Sequence, residues 1–145
     1  MKSTLPIPVL PEISSAITPV KVEVMEPIRV AVHGASGRMG QEVIKALCHE
    51  PEIQVVGAVE LRVTEGYLSL PNGSGEIPFS SDLAYIISRC QPHVLVDFTI
   101  AQATMPAVRI ATKEGVNLVI GTTGLTAITS TRLTTWPRSI RLALW

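Results

Sequence analysis

The chain has 145 residues, 46% of them apolar, and its 12 basic and 12 acidic side chains leave no formal net charge. That length suffices for a domain with a real core, and the charge balance gives no electrostatic case for nucleic acid or an anionic membrane as partner. Its apolar runs are strand-sized, far short of a membrane span, and two cysteines, Cys48 and Cys90, make no disulfide framework, so a reduced, cytoplasmic setting is expected.

Residues 1–27 carry Pro6, Pro8, Pro11, Pro19 and Pro27 between short apolar pieces, with no continuous apolar stretch after Lys2. This predicts a Pro-rich, disordered extension rather than a secretory signal, with Met25 as an alternative start. Ile28–His33 reads as a first strand and the stretch to about residue 50 as a helix with Met39, Val43, Ala46 and Leu47 as its apolar stripe. Gln41, Glu42, Lys45 and His49 fall outside that stripe, and Pro51 stops the helix. Ile53–Val59 reads as a second buried strand. Residues 61–80, punctuated by Gly66, Pro71, Asn72, Gly73, Gly75 and Pro78, read as a loop.

Ser81 or Asp82 is placed to cap a short helix through Ile87. Residues 94–98 form a third apolar strand. Thr104 is a cap for the next helix, with Pro106 in its first turn, Val108, Ile110 and Ala111 on its core side, and Gly115 at its end. Asn117–Ile120 is a fourth strand. Alternating helices and near-continuously apolar strands predict an α/β fold: a Rossmann-type parallel sheet with helices on both faces, its four strands in the order 3-2-1-4. Residues 125–145 break the pattern, with three arginines, five threonines and two tryptophans but no Asp, Glu or Lys. This tail has neither helical nor strand period.

Chemistry is concentrated where the first strand meets the first helix. Gly34-Ala35-Ser36-Gly37-Arg38-Met39-Gly40 supplies a glycine for a tight turn, one for close approach of backbone N–H groups to a pyrophosphate, and one for close packing of helix on strand. The helix N-terminus adds partial positive charge and free donors. Glu60, 20 residues past Gly40, is placed to accept the ribose hydroxyls. Arg38 is equally a surface residue or a partner for the phosphates. His33, His49 and His93 show no metal-ligand spacing and read as structural, so no metal is expected. Cys48 reads as a small apolar side chain. A short-chain-type reductase would need Tyr-x-x-x-Lys, but Tyr67 and Tyr85 are followed four positions on by Pro71 and Arg89.

Four segments, taken in order, resemble the amino-terminal half of the dihydrodipicolinate reductase family, NAD(P)H enzymes of the diaminopimelate route to lysine. They are Val30-Ala31-Val32-His33-Gly34-Ala35-Ser36-Gly37-Arg38-Met39-Gly40, then Val56-Gly57-Ala58-Val59-Glu60, Val96-Asp97-Phe98-Thr99, and Val119-Ile120-Gly121-Thr122-Thr123-Gly124. The resemblance covers about residues 28–126. It implies that Gly34, Ala35, Ser36, Gly37, Arg38 and Met39 wrap the pyrophosphate of NADH or NADPH and that Glu60 holds the adenine ribose. Phe98 and Thr99 would lie beside the cofactor, and Gly121, Thr122 and Thr123 would line its nicotinamide end through backbone groups. Asp97 would belong to the loop framework rather than act as an acid.

Two departures bear on function. The arginine that often follows the ribose acid in the family is replaced by Leu61, with Arg62 one further on, which leaves the choice between NADH and NADPH open and use of both expected. The family's substrate domain, with its histidine-rich stretch and product-protonating lysine, has no counterpart: no His follows His93 and no Lys follows Lys113. The expectation is an incomplete fold lacking its second half, with no catalytic residue of its own and no turnover by the chain alone. Residues 127–145 are expected to be an atypical tail, out of frame from about Thr126, since a shifted frame permits the acidic helix that the family carries there. DNA beyond codon 145 that encoded no substrate domain in the alternate frame would end that idea. By resemblance the full-length family member is a homo-oligomer. A different functional class, a non-catalytic NAD(P)-binding module or sensor, remains the alternative, and nicotinamide dinucleotide is the partner in either case.

Overall fold

The computed structural model describes residues 23–63, 66–125 and 142–144. Its elements are β1 (Ile28–His33), α1 (Arg38–Cys48), β2 (Ile53–Val59), β3 (Tyr67–Ser69), β4 (Glu76–Ser80), α2 (Leu83–Cys90), β5 (Val94–Asp97), α3 (Ala101–Lys113), β6 (Asn117–Ile120) and β7 (Leu142–Leu144). One sheet runs β3-β4-β2-β1-β5-β6-β7, and every pairing is parallel except β3 with β4.

The strands are apolar on both faces because helices cover both. Val30, Val32, Val55, Ala58 and Ile77 pack with Ile44 of α1 on one side. Ala31, Val59, Leu95, Leu118 and Ile120 pack with Leu83, Ile86 and Ile87 of α2 and Ala107, Val108 and Ala111 of α3 on the other. Successive residues of β1 thus serve opposite cores, as a strand's period of two requires. The α/β fold with helices on both faces is as the sequence predicts.

The strand order needs correction. The strand at 94–98, counted third in the sequence, lies on the far side of β1 from β2, paired with it from Val30↔Val94 to His33↔Asp97. The third strand of the 3-2-1-4 order is β4, inside the stretch expected to be a loop. There residues 61–80 build the β3–β4 hairpin, and β4 then pairs parallel with the end of β2 through Ala58↔Phe79 and Val59↔Ser80. Pro78 and the surrounding turn residues hide this strand, since proline normally argues against a strand interior. The turn itself is an Asx-turn in which Asn72 Oδ1 accepts from the amide and hydroxyl of Ser74 at 3.1 and 2.7 Å.

Three local expectations also shift. The buried stripe of α1 is Gly40, Val43, Ile44 and Leu47, whereas Met39 is 53% exposed and Ala46 faces solvent. Of the two candidate caps for α2, Asp82 takes the role, its Oδ1 accepting from Tyr85 N–H at 3.1 Å, and the helix runs on to Cys90. α3 starts before Thr104, at Ala101 with Ile100 as its N-cap, so Pro106 sits inside the helix rather than in its first turn. Gly115 does follow its end, with Val116 N–H donating to Ala111 O at 2.9 Å.

Cys48 and Cys90 are free and pack on opposite faces of the sheet, and burial raises both thiols above their ordinary value. No described helix is long and apolar enough to cross a membrane. The Pro-rich residues 1–22 and the tail at 126–141 and 145 lie outside the described residues. Leu142–Leu144, in the tail expected to lack strand character, forms β7 and pairs parallel with Leu118, Val119 and Ile120 of β6.

Candidate functional site

Gly34 leaves β1 with φ +83°, and a Cβ there would stand 2.6 Å from the Phe98 carbonyl oxygen. The turn after β1 therefore touches the turn after β5 backbone to backbone, which a side chain would prevent. Gly34 and Ala35 N–H both donate to Val59 O, at 2.9 and 3.2 Å, and Gly37 N–H donates to Gly34 O at 3.2 Å. These bonds seat the turn on the end of β2. Gly40, one turn into α1, lies directly on the turn: a Cβ there would run into the Gly34 carbonyl and come within 3.0 Å of Ala35 Cα. Gly37 is the N-cap of α1, which has no side-chain cap and no acidic residue in its first turn. The partial positive charge and N–H donors of a helix start are thus left without a built-in anion at the end of a central strand.

Glu60 follows β2 directly. Its Oε2 accepts from Ser36 N–H at 3.2 Å and its Oε1 from Leu61 N–H at 2.9 Å, so its carboxylate stands against the glycine turn. Leu61 is 83% exposed, and Arg62 beyond it is exposed as well.

A cavity of about 320 Å³ opens at the carboxyl ends of the parallel strands, lined by residues following β1, β2, β4 and β5. It lies where the chain, having built β2 and β4 on one side of β1, crosses through α2 to place β5 on the other. Such switch points are where open parallel sheets bind ligands. Of the residues singled out from sequence, Gly34, Gly37, Glu60, Phe98 and Thr99 line it. Ala35 and Ser36 border a second cavity of about 230 Å³ between α1, β3 and β4. Arg38 and Met39 start α1 with exposed side chains and line neither.

Gly121, Thr122 and Thr123 stand back from the cavity. A Cβ at Gly121 would collide with the Phe98 ring, Thr122 is buried and Thr123 exposed. The lining residues not singled out for the site from sequence are His33, read there as structural, Ser81, read as a candidate cap, and Ile100 and Ala103. Ser81 follows the unrecognised strand β4. Ile100 and Ala103 belong to the start of α3, which begins earlier than expected. His33 has the signal of being the last residue of a central strand.

Beneath the cavity lies a polar network. Asp97, fully buried at the end of β5, accepts through Oδ1 from Thr99 N–H (2.9 Å), Thr99 Oγ1 (2.6 Å) and Thr122 Oγ1 (3.3 Å). Thr104 Oγ1 donates to Thr122 Oγ1 at 3.0 Å. His33 Nδ1 is 3.7 Å from Asp97 Oδ1, close enough for charge attraction but too long for a hydrogen bond. Burial pushes the Asp97 carboxyl up, but His33 beside it and the Thr99 donors pull it down further, leaving it below its ordinary value. The network ties the ends of β5 and β6 to the start of α3. Among the described residues no group of three or more His, Cys, Asp or Glu side chains is placed to hold a metal ion.

Known proteins match this arrangement. Residues 28–144 fit the sequence profile of "Dihydrodipicolinate reductase, N-terminus". The 4-hydroxy-tetrahydrodipicolinate reductase of Dehalococcoides mccartyi is 60% identical over 100 residues, which cover 69% of this chain and 38% of that protein. The enzyme of the same name from Moorella thermoacetica is 43% identical over 100 residues, 68% of this chain and 38% of the relative. Among solved structures, a dipicolinate-bound dihydrodipicolinate reductase from Paenisporosarcina sp. TG-14 superposes with a TM-score of 0.61 at 28% identity, over 74% of this chain and 42% of the other. The chain thus spans well under half the length of the relatives it matches. With the profile covering most of its length, this chain belongs to the dihydrodipicolinate reductase family through that family's amino-terminal domain.

Proposed function

We propose that this chain is the NAD(P)H-binding domain of a reductase acting on a cyclic imine-type dicarboxylate in lysine biosynthesis. The observation that carries the reading is the cavity at the strand ends, where the glycine turn, the uncapped start of α1 and Glu60 meet. The residues suit a dinucleotide: without side chains, Gly34 lets the turn close on the Phe98 backbone and Gly40 lets α1 close on the turn, α1 offers N–H donors to a pyrophosphate, and Glu60 is a bidentate acceptor for ribose hydroxyls. Glu60 now holds the Ser36 and Leu61 amides, so its carboxylate is already oriented at the turn. Phe98 and Thr99 border the far side of the cavity, and the Gly121 backbone supports the Phe98 ring. A bound reduced nicotinamide supplies the hydride, and this domain binds and orients it.

Leu61 in place of an arginine removes one partner for a 2′-phosphate, so use of both NADH and NADPH is part of the reading. So is the inertness of the 145-residue chain, whose sequence supplies no His or Lys beyond Lys113 to protonate a substrate. The same reading places the protein in the cytoplasm, with free thiols, and makes the full-length protein a homo-oligomer.

Calorimetric titration of the purified chain with NADH and NADPH tests the reading. Binding of both within about tenfold of each other is expected, with Glu60→Ala weakening NADH about tenfold through loss of a charge-assisted ribose contact. Absence of binding to either cofactor overturns it. Turnover of dihydrodipicolinate by the isolated chain, at a rate abolished by Gly37→Trp, would overturn the inertness alone.

A further inference from the structure

Leu61 is 83% exposed and Ile100 62% exposed, and both line the cavity at the strand ends. An aliphatic side chain left in water at a cavity gains free energy from any apolar surface that covers it. The two come from opposite sides, Leu61 after β2 and Ile100 after β5, with β1 between those strands. Both stand on fixed backbone. Leu61 N–H donates to Glu60 Oε1 at 2.9 Å. Ile100 is the N-cap of α3, and its carbonyl accepts from Ala103 and Thr104 N–H at 2.9 and 3.0 Å.

The rest of the lining says what could cover them. Gly34 and Gly37 offer backbone, and no lysine or arginine borders the cavity. Of its two hydroxyls, that of Thr99 is held by Asp97 Oδ1 at 2.6 Å, which leaves Ser81. A dinucleotide with its phosphates at the start of α1 and its ribose on Glu60 carries its base on that same ribose, next to the residue that follows Glu60. The base is an uncharged flat ring with two apolar faces and a polar edge. Leu61 and Ile100 match the faces. The edge meets no side chain with a fixed pattern of donors and acceptors, since a serine hydroxyl rotates to give or to accept.

We propose that Leu61 and Ile100 are base-positioning residues that hold the purine of the cofactor between them by burial alone, so that the site reads the shape of the base and not its hydrogen-bonding edge. This rests on the dinucleotide reading above. It widens the class of ligand to dinucleotides with hypoxanthine in place of adenine. In that base the exocyclic amine is a carbonyl and the neighbouring ring nitrogen carries a proton, which exchanges donor and acceptor along the edge. A site with a fixed polar partner there would reject one of the two bases strongly, because that partner would be left unpaired. An apolar clamp takes both.

Calorimetric titration of the 145-residue chain with NADH and with reduced nicotinamide hypoxanthine dinucleotide tests this. The two wild-type Kd values are expected to agree within about threefold, and Leu61→Ser and Ile100→Ser each to weaken both cofactors about fivefold, with Leu61→Met keeping wild-type affinity. Both side chains are exposed and serine is a good N-cap at position 100, so these variants keep the fold. In the wild type, nuclear Overhauser contacts from the adenine H2 and H8 protons of bound NADH to the Leu61 and Ile100 methyl groups are expected, which a merely structural role would not produce. A larger preference for either base, serine variants that bind NADH as wild type does, or bound NADH without those contacts would overturn this inference alone. No binding of NADH to the wild-type chain removes the dinucleotide reading and this one with it.

Discussion

Gly40 has no space for a side chain, because the Gly34 carbonyl lies where its Cβ would be. Gly37 is less confined, with that oxygen 3.3 Å from a Cβ, and Gly34 combines a 2.6 Å approach to the Phe98 oxygen with φ +83°. Alanine at Gly40 must push α1 off the turn and is expected to cost about 3 kcal/mol or more; alanine at Gly37 should cost less than about 1 kcal/mol. Urea denaturation of the two variants checks the order. Asp97 gives a second residue-scale prediction. Its folded carboxyl sits below the ordinary value of 3.8, so its stabilisation is present above that value and is lost as pH falls through the folded one. Asp97→Asn should lower stability at neutral pH by about 2 kcal/mol and flatten the acid limb of the stability curve, read by denaturation from pH 3 to 7. That Gly34, Gly37 and Glu60 come together was legible because turn chemistry and spacing are local. The places of His33 and Ser81 were not, because lining a cavity depends on which strand ends become neighbours.

At the scale of elements, α3 keeps a proline in its interior. Pro106 cannot donate to the carbonyl of Gln102, which leaves one backbone hydrogen bond missing from an otherwise continuous helix. Pro106 is exposed, so Pro106→Ala is expected to raise stability by about 1 kcal/mol, the restored bond outweighing the entropy returned to the unfolded chain; thermal unfolding would show a higher midpoint. Loss of the Asp82 cap of α2 in Asp82→Ala should cost about 1 kcal/mol in the same measurement. Helix existence could be read from periodicity, but the exact stripe of α1 could not. Met39 and Ala46 are apolar, yet α1 docks with Gly40 against the turn and Ile44 in the core, leaving Met39 and Ala46 exposed. β3 and β4 were invisible for a related reason: Pro78 and a glycine-rich turn are poor strand signals alone, and the strands are held by their mutual pairing, the pairing of β4 with the end of β2, and the packing of Ile77 in the core.

For the whole molecule, β7 matters because β6 would otherwise present an open edge. Leu142–Leu144 takes up that edge across three residue pairs. Removing residues 127–145 should therefore lower the urea midpoint and promote self-association, an edge effect that sedimentation at two protein concentrations would reveal. The fold class, the glycine turn and its acidic partner were determined by the sequence itself, since apolar period, glycine spacing and the distance to Glu60 are properties of the chain alone. Only the tertiary structure decided that β4 rather than β5 lies outside β2, that residues after four strands share one cavity, and that His33 meets Asp97. These depend on crossovers and long-range pairing, whose energies arise between segments 20 or more residues apart and leave no local mark on either.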